Sequence, residues 1–334
     1  MYPLIMKPYF RHGAMTPWGG SRLRDWFGKD APDDGVGESL EVSALPGMES
    51  VILNGELAGC TFPKAIEKWG TDLTGTEGVF PLLLKLLDAN DMLSVQVHPD
   101  DTYAAEHDGK LGKTEAWVVL SADPGAKLAY GLDLDGRPLK DVVAANDLES
   151  VLHWEIAKPG DVLYIPHGMV HALGGGIQVY EIQQSSDATY RFWDWGRLGK
   201  DGKPRELHTE KATDVSRPDV KLGRIEGTTV IIPGGSQTYF IADANFELSR
   251  LNVSGKMPLE SGRMAFLTAL GQLTVTWPEG SFTVDPFETV VVPAALEGVV
   301  LESTGPVMMS RLPDRAALRE ILGYRAENMM GLVD

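Results

Sequence analysis

The sequence predicts a mostly β protein, built as two jelly-roll-like domains with a few short helices and a C-terminal helix. Three observations carry this. The 334 residues are 43% hydrophobic and 23% charged, the balance of a folded chain with ample apolar surface, and the length suits two domains. The 37 glycines and 21 prolines are spread through the chain and separate short runs rich in Val, Ile, Leu and aromatics, the rhythm of strands between turns. The second half holds eight such runs at near-even spacing, which suits a jelly roll or other sandwich.

Taken in order, the first half offers a short helix at 63–69 and an apolar run at 83–87 whose periodicity fits helix or strand equally. Strands are predicted at 92–97, 115–120, 127–132, 152–156, 162–165 and 177–183, several of them alternating apolar and polar residues. A polar stretch rich in Gly and Pro marks a linker over 216–236. Beyond it, strands are predicted at 238–241, 246–251, 263–270, 272–277, 281–284, 287–292, 299–302 and 307–311. In the tail, Asp314 can cap a helix, Ala317, Leu318, Ile321 and Leu322 share one face, and Gly323 can end it. The expected division is a working domain over 1–215, a linker over 216–236, a second jelly roll over 237–312 and a helical tail over 313–334.

Composition also excludes partners. With 47 acidic against 30 basic residues the net charge is -17, a field that repels a polyanionic backbone, so no nucleic acid is expected. The longest apolar runs fall far short of the ~20 residues that span a bilayer, and the N-terminus resembles neither a secretory signal nor a transit peptide. The single cysteine, Cys60, excludes an intramolecular disulfide framework and a thiolate-rich zinc site, and points to the reducing cytoplasm. No feature sets an oligomeric state.

The seven histidines are His12, His98, His107, His153, His167, His171 and His208, so any histidine-held metal belongs to the first domain. In Ser94-Val95-Gln96-Val97-His98, strand alternation puts Ser94, Gln96 and His98 on one face. Lys113 and Glu115 share a face in the same way. The most specific pattern runs from Gly160 to His171: Gly, five residues, Pro, one residue, Gly, two residues, His. It builds a turn, a buried strand and a second sharp turn that delivers His171 inward. His167, within that turn, should face elsewhere, and His12, His107, His153 and His208 have no ligand spacing to a partner.

Gly160 to His171 resembles the second cupin motif. Together with Gln96-Val97-His98-Pro99-Asp100, Lys113-Thr114-Glu115 and Ser185-Ser186-Asp187-Ala188-Thr189-Tyr190-Arg191, it resembles type I mannose-6-phosphate isomerase in its shorter bacterial form. Trp18-Gly19-Gly20 and Gly37-Glu38-Ser39-Leu40-Glu41-Val42-Ser43 extend the match over most of 1–215. The resemblance implies cupin-like jelly rolls, a sugar phosphate substrate, and one Zn²⁺ per chain held by Gln96, His98, Glu115 and His171. Two neutral nitrogens with a carboxylate and an amide oxygen suit that ion. Gln96, a weak ligand, either coordinates it or hydrogen-bonds its water.

The implied reaction interconverts mannose 6-phosphate and fructose 6-phosphate through an enediol, which needs a proton carrier, charge stabilisation and a phosphate anchor. The resemblance makes Arg191 the catalytic arginine, Lys113 a pocket lysine acting on a sugar oxygen and Glu38 a pocket acid. Glu181 shares a strand face with Gln183 and is the candidate proton-transfer group. Ser94 and Arg197 are the candidate phosphate partners. Three alternatives stand beside this reading: a non-catalytic metal- and sugar-binding cupin, an isomerase of another sugar phosphate, and an iron-dependent cupin oxygenase. The last is less well supported, since Gln96 replaces one histidine of the usual His-x-His.

Overall fold

In the computed structural model, which describes residues 1–32, 35–198 and 202–322, the chain is mostly β and folds as two cupin-like bodies with a few short helices. The first body has two sheets. The six-stranded sheet runs, in spatial order, Val162–Ile165, Glu115–Ala122, Ile177–Gln184, Leu82–Ala89, Val36–Val42, Tyr9–His12; the five-stranded sheet runs Tyr190–Trp193, Val95–Val97, His171–Ala172, Lys127–Leu132, Leu152–Ile156. Their inner faces meet in one apolar cluster that includes Trp117, Val119, Leu163 and Val179 from one sheet and Leu128 and Tyr130 from the other.

The run at 83–87 is resolved as strand. Leu82–Ala89 is buried at all eight positions, as is its partner Ile177–Gln184. A strand covered on both faces reads as continuously apolar, which is why periodicity did not decide its type. One face of the pair looks into the first body. The other, with Leu84, Leu86, Tyr180 and Ile182, joins a second apolar cluster shared with Leu248, Phe266 and Val291 of the second body.

The second body pairs an eight-stranded sheet with a four-stranded one, and all eight of its expected strands are present. Two features cross the expected division. Leu4–Lys7 pairs with Thr289–Val292 and Val51–Ile52 with Leu4–Lys7, so the start of the chain completes the second body's large sheet. Within 216–236, expected as a linker, Thr228–Ile232 forms a strand paired with Gly235–Ala242. A pairing partner more than 280 residues away leaves no local signal, whereas Thr228–Ile232 is a run of five β-branched residues whose strand signal is masked by the polar, Gly- and Pro-rich stretch around it.

The expected helix at 63–69 is the core of Phe62–Thr74, and the tail helix spans Arg315–Leu322 with the Asp314 carboxylate accepting from the Ala317 N–H. Leu318 and Leu322 pack on Tyr239 and Ala242. Gly323 lies outside the described residues. Asp101–Asp108 is a helix the sequence reading did not identify: its Asp100 cap accepts from the Tyr103 N–H, and Gly109, at φ +65°, ends it.

Candidate active site

The site grows from register. Gln96 lies directly opposite His171 on one neighbouring strand and opposite Arg191 on the other, so three polar residues line up across the five-stranded sheet. Val95 and Val97, pointing the other way, are fully buried among Phe192, Val170 and Leu152. On the facing sheet, Trp117, Glu181 and Lys85 are likewise opposite one another on three adjacent strands. The two rows enclose a cavity of about 370 Å³.

Beside Gln96 and Lys113, which line it, His98, Glu115 and His171 offer donor atoms all within 4.8 Å of one another. His98 Nε2 is 3.4 Å from Glu115 Oε2, and His171 Nε2 is 3.4 Å from Glu115 Oε1. Each imidazole uses Nδ1–H on a main-chain carbonyl, His98 on Ala188 and His171 on Met169, both at 2.9 Å, which fixes the tautomer and turns the Nε2 lone pair toward the centre. Burial pushes the His98 pKa well below its ordinary value and that of His171 down to about 4, so both rings are neutral. Glu115 Oε1 is buried without a hydrogen-bond partner. A convergent pair of imidazole lone pairs beside a carboxylate with an unpaired buried oxygen is a donor set that fits a divalent metal.

Gln96 stands beside this cluster, with Nε2 donating to His171 Nε2 at 3.3 Å and Oε1 accepting from Ser94 Oγ at 3.2 Å. Lys113 Nζ contacts Glu115 Oε2 and lies 3.1 Å from His98 Nε2; burial lowers its pKa to about 7. Across the cavity, Glu181 Oε1 accepts from Lys85 at 3.0 Å and Oε2 from Trp117 Nε1 at 2.8 Å. Burial alone would raise the Glu181 pKa, but the Lys85 and Lys113 charges outweigh it and hold the carboxylate ionised. Glu38 pairs with Arg11 at 2.8 Å and lies 3.8 Å from Lys85.

Arg191 lines the cavity, with Nε buried and lacking a hydrogen-bond partner. Ser94, Glu38, Lys113 and Glu181 also line the cavity. Arg197 is not brought to it. Its Nη2 donates to the Met92 carbonyl at 2.5 Å and approaches Asp91 at 3.3 Å, in the wall of an adjacent cavity. Thr16 and Arg205 line both cavities, and Arg205 grips Asp194 through two bonds of 2.7 and 2.6 Å.

Residues the sequence reading missed in this cavity include Arg11, Lys85, Arg205 and His208. Lys85 carried a signal, a lysine inside Leu82-Leu83-Leu84-Lys85-Leu86-Leu87, where a buried charge needs a reason. The other three reach the site only through tertiary structure. His208, which has no ligand spacing to a partner in the sequence, lies in the cavity wall. His167 does face elsewhere, toward Arg217 and Thr114.

The Trp18-Gly19-Gly20 and Gly37 motifs also find a physical reason. A Cβ on Gly19 would sit 2.4 Å from the Gly37 amide nitrogen, and one on Gly37 would sit 2.6 Å from the Trp18 ring, so both glycines are needed to seat Trp18 against Val36–Val42 at the cavity wall.

Known proteins resemble this chain in sequence and in fold. The family model described as phosphomannose isomerase type I, catalytic domain, matches residues 12–117. A mannose-6-phosphate isomerase of Streptococcus mutans is 39% identical over 283 residues, 81% of this chain and 88% of that protein. The mannose-6-phosphate isomerase ManA of Bacillus subtilis is 36% identical over 278 residues, 80% of this chain and 85% of that one. The crystal structure of a mannose 6-phosphate isomerase from Bacillus subtilis superposes with a TM-score of 0.86 at 32% identity, over 93% of this chain and 99% of its own. The chain belongs to the type I phosphomannose isomerase family.

Proposed function

We propose that this protein interconverts mannose 6-phosphate and fructose 6-phosphate through an enediol, with one zinc ion as cofactor. The observation that supports this best is that two neutral imidazoles and a carboxylate cluster against Gln96 and Lys113, which line a cavity that Arg191 also lines with its buried Nε left without a partner. His98, Glu115 and His171, with Gln96 beside them, would hold the zinc, which when bound supplies Lewis-acid polarisation of a sugar oxygen.

The chain's own residues supply the rest. Arg191 sets a permanent, non-titrating charge against the sugar oxygens on which negative charge develops. Lys113 donates to a sugar oxygen from the opposite side. Glu181, ionised, carries the proton between C2 and C1, although its two donors weaken it as a base. Glu38, tied to Arg11, orients hydroxyl groups. The phosphate is assigned to Ser94 and Arg205, both of which line the cavity; Arg205 also holds Asp194, and Arg197 is directed to Asp91 and the Met92 carbonyl outside it. In a chain of net charge -17, a cavity lined by seven Lys and Arg against four Asp and Glu is a local inversion that favours a dianion.

A coupled assay for fructose 6-phosphate, run with metal content measured on the same sample, tests this. Turnover that chelation abolishes and zinc restores is expected. Stoichiometric zinc without turnover of mannose 6-phosphate would instead point to another sugar phosphate or to a binding role.

A further inference from the structure

Tyr190–Trp193 is the outer strand of its sheet, so main-chain groups on its free side must find partners elsewhere. At Arg191 both partners come from a single residue. The Arg191 N–H donates to His208 Nδ1 at 3.2 Å, and the Arg191 carbonyl accepts from the His208 N–H at 2.8 Å. His208 is half-buried in the cavity wall, immediately before the helix Thr209–Val215. The Arg191 Nε atom has no hydrogen-bond partner, so the aim of this guanidinium depends on how its backbone is held.

We propose that His208 is a positioning residue for Arg191: its neutral imidazole and its own amide clamp the Arg191 backbone at both its N–H and its carbonyl, and protonation of the ring opens the clamp. This rests on the role given to Arg191 above. The chemistry of the switch is direct. Nδ1 accepts only while it keeps its lone pair, and a protonated ring would present N–H to N–H. The groups facing the ring oppose one another. Burial, then the charge of Arg191 and, more weakly, of Lys211 on the following helix disfavour the imidazolium, whereas Glu206, 4.0 Å from Nε2, and Asp108 on the helix Asp101–Asp108 favour it; the Tyr190 ring lies 6.2 Å away. The balance lowers the His208 pKa below its ordinary value of 6.5. The clamp is therefore closed at neutral pH and opens as the pH falls through that lowered pKa.

The test compares the wild type, His208→Ala and His208→Asn, whose amide oxygen can replace Nδ1 as acceptor without titrating. Steady-state kinetics across pH, metal content and hydrogen exchange of the Arg191 amide are measured on each. For His208→Ala the expected result is a fall in kcat on the order of tenfold to a hundredfold, with metal content unchanged, KM within about twofold and rapid exchange at Arg191. His208→Asn should recover most of the kcat, keep the amide protected and lack the acid-side decline that the wild type owes to His208. Wild-type kcat in His208→Ala, or a loss that asparagine does not rescue while the Arg191 amide stays protected, would overturn the clamp. If the wild type fails to isomerise mannose 6-phosphate, the functional reading falls separately, and amide exchange alone decides: equal protection in all three proteins refutes the clamp. Should the alanine variant not fold, the wild-type amide must still lose protection on acidification and His208→Asn must not.

Discussion

An imidazole whose Nδ1–H is already given to a carbonyl has one lone pair left to offer, and at His98 and His171 that lone pair faces Glu115. Replacing either histidine with alanine should therefore remove bound metal and turnover together, as measured by metal analysis and kcat on the same preparation; full metal with full turnover would refute the ligand set. Arg191→Ala should keep its metal and lose about 10²- to 10³-fold in kcat/KM, the scale of deleting one preorganised charge-stabilising donor. Arg205→Ala should raise KM for the sugar phosphate more than Arg197→Ala, because only Arg205 faces the cavity. The reverse order in steady-state kinetics would return the phosphate to Arg197. These assignments were unequally legible. The faces of Gln96, His98, Glu115 and His171 could be read because strand alternation and the Gly-to-His spacing are local properties of the chain; that they form one ligand set was implied by the family resemblance. Arg205 and His208 could not, since residues 91–96 and 191–208 meet only in the folded sheet. Lys85 lay between: its burial was legible from its neighbours, and its pairing with Glu181 across two strands was not.

At the scale of the element, legibility followed length and one-sidedness. The second body's eight expected strands all formed because each has a wet face and a packed face or a clear turn at both ends. Leu82–Ala89, packed on both faces, stayed ambiguous, and the two-residue strands Val51–Ile52 and His171–Ala172 were too short to show any period. The same double packing makes Leu82–Ala89 sensitive to substitution. Leu84, wholly buried where the two bodies meet, should cost about 2–5 kcal/mol on replacement by alanine, read as a lower denaturant midpoint. A midpoint equal to the wild type's would mean that this face is not packed as described.

Across the whole molecule, the two bodies are coupled by chain exchange and by buried charge. Glu41, fully buried, accepts from Lys29 at 2.7 Å, from Ser39 at 2.6 Å and from Thr289 of the second body at 3.0 Å, while Lys29 also donates to the Phe287 carbonyl at 2.7 Å. Removing one partner would strand the other, so Lys29→Met should destabilise by about 3–5 kcal/mol. With Leu4–Lys7 completing the far sheet and one apolar cluster spanning both bodies, calorimetry should show a single unfolding transition. Two resolved transitions would mean that the bodies are energetically separate. The sequence reading saw two β-rich halves, but it could not see that the first strand of one completes a sheet of the other.

The most direct measurement is a zinc titration of metal-free protein with isomerisation of mannose 6-phosphate followed at each point. Turnover that rises in proportion to added zinc and levels off at one ion per chain is the result this account predicts. Full turnover in the metal-free protein, or one tightly held zinc per chain with no turnover, would contradict it.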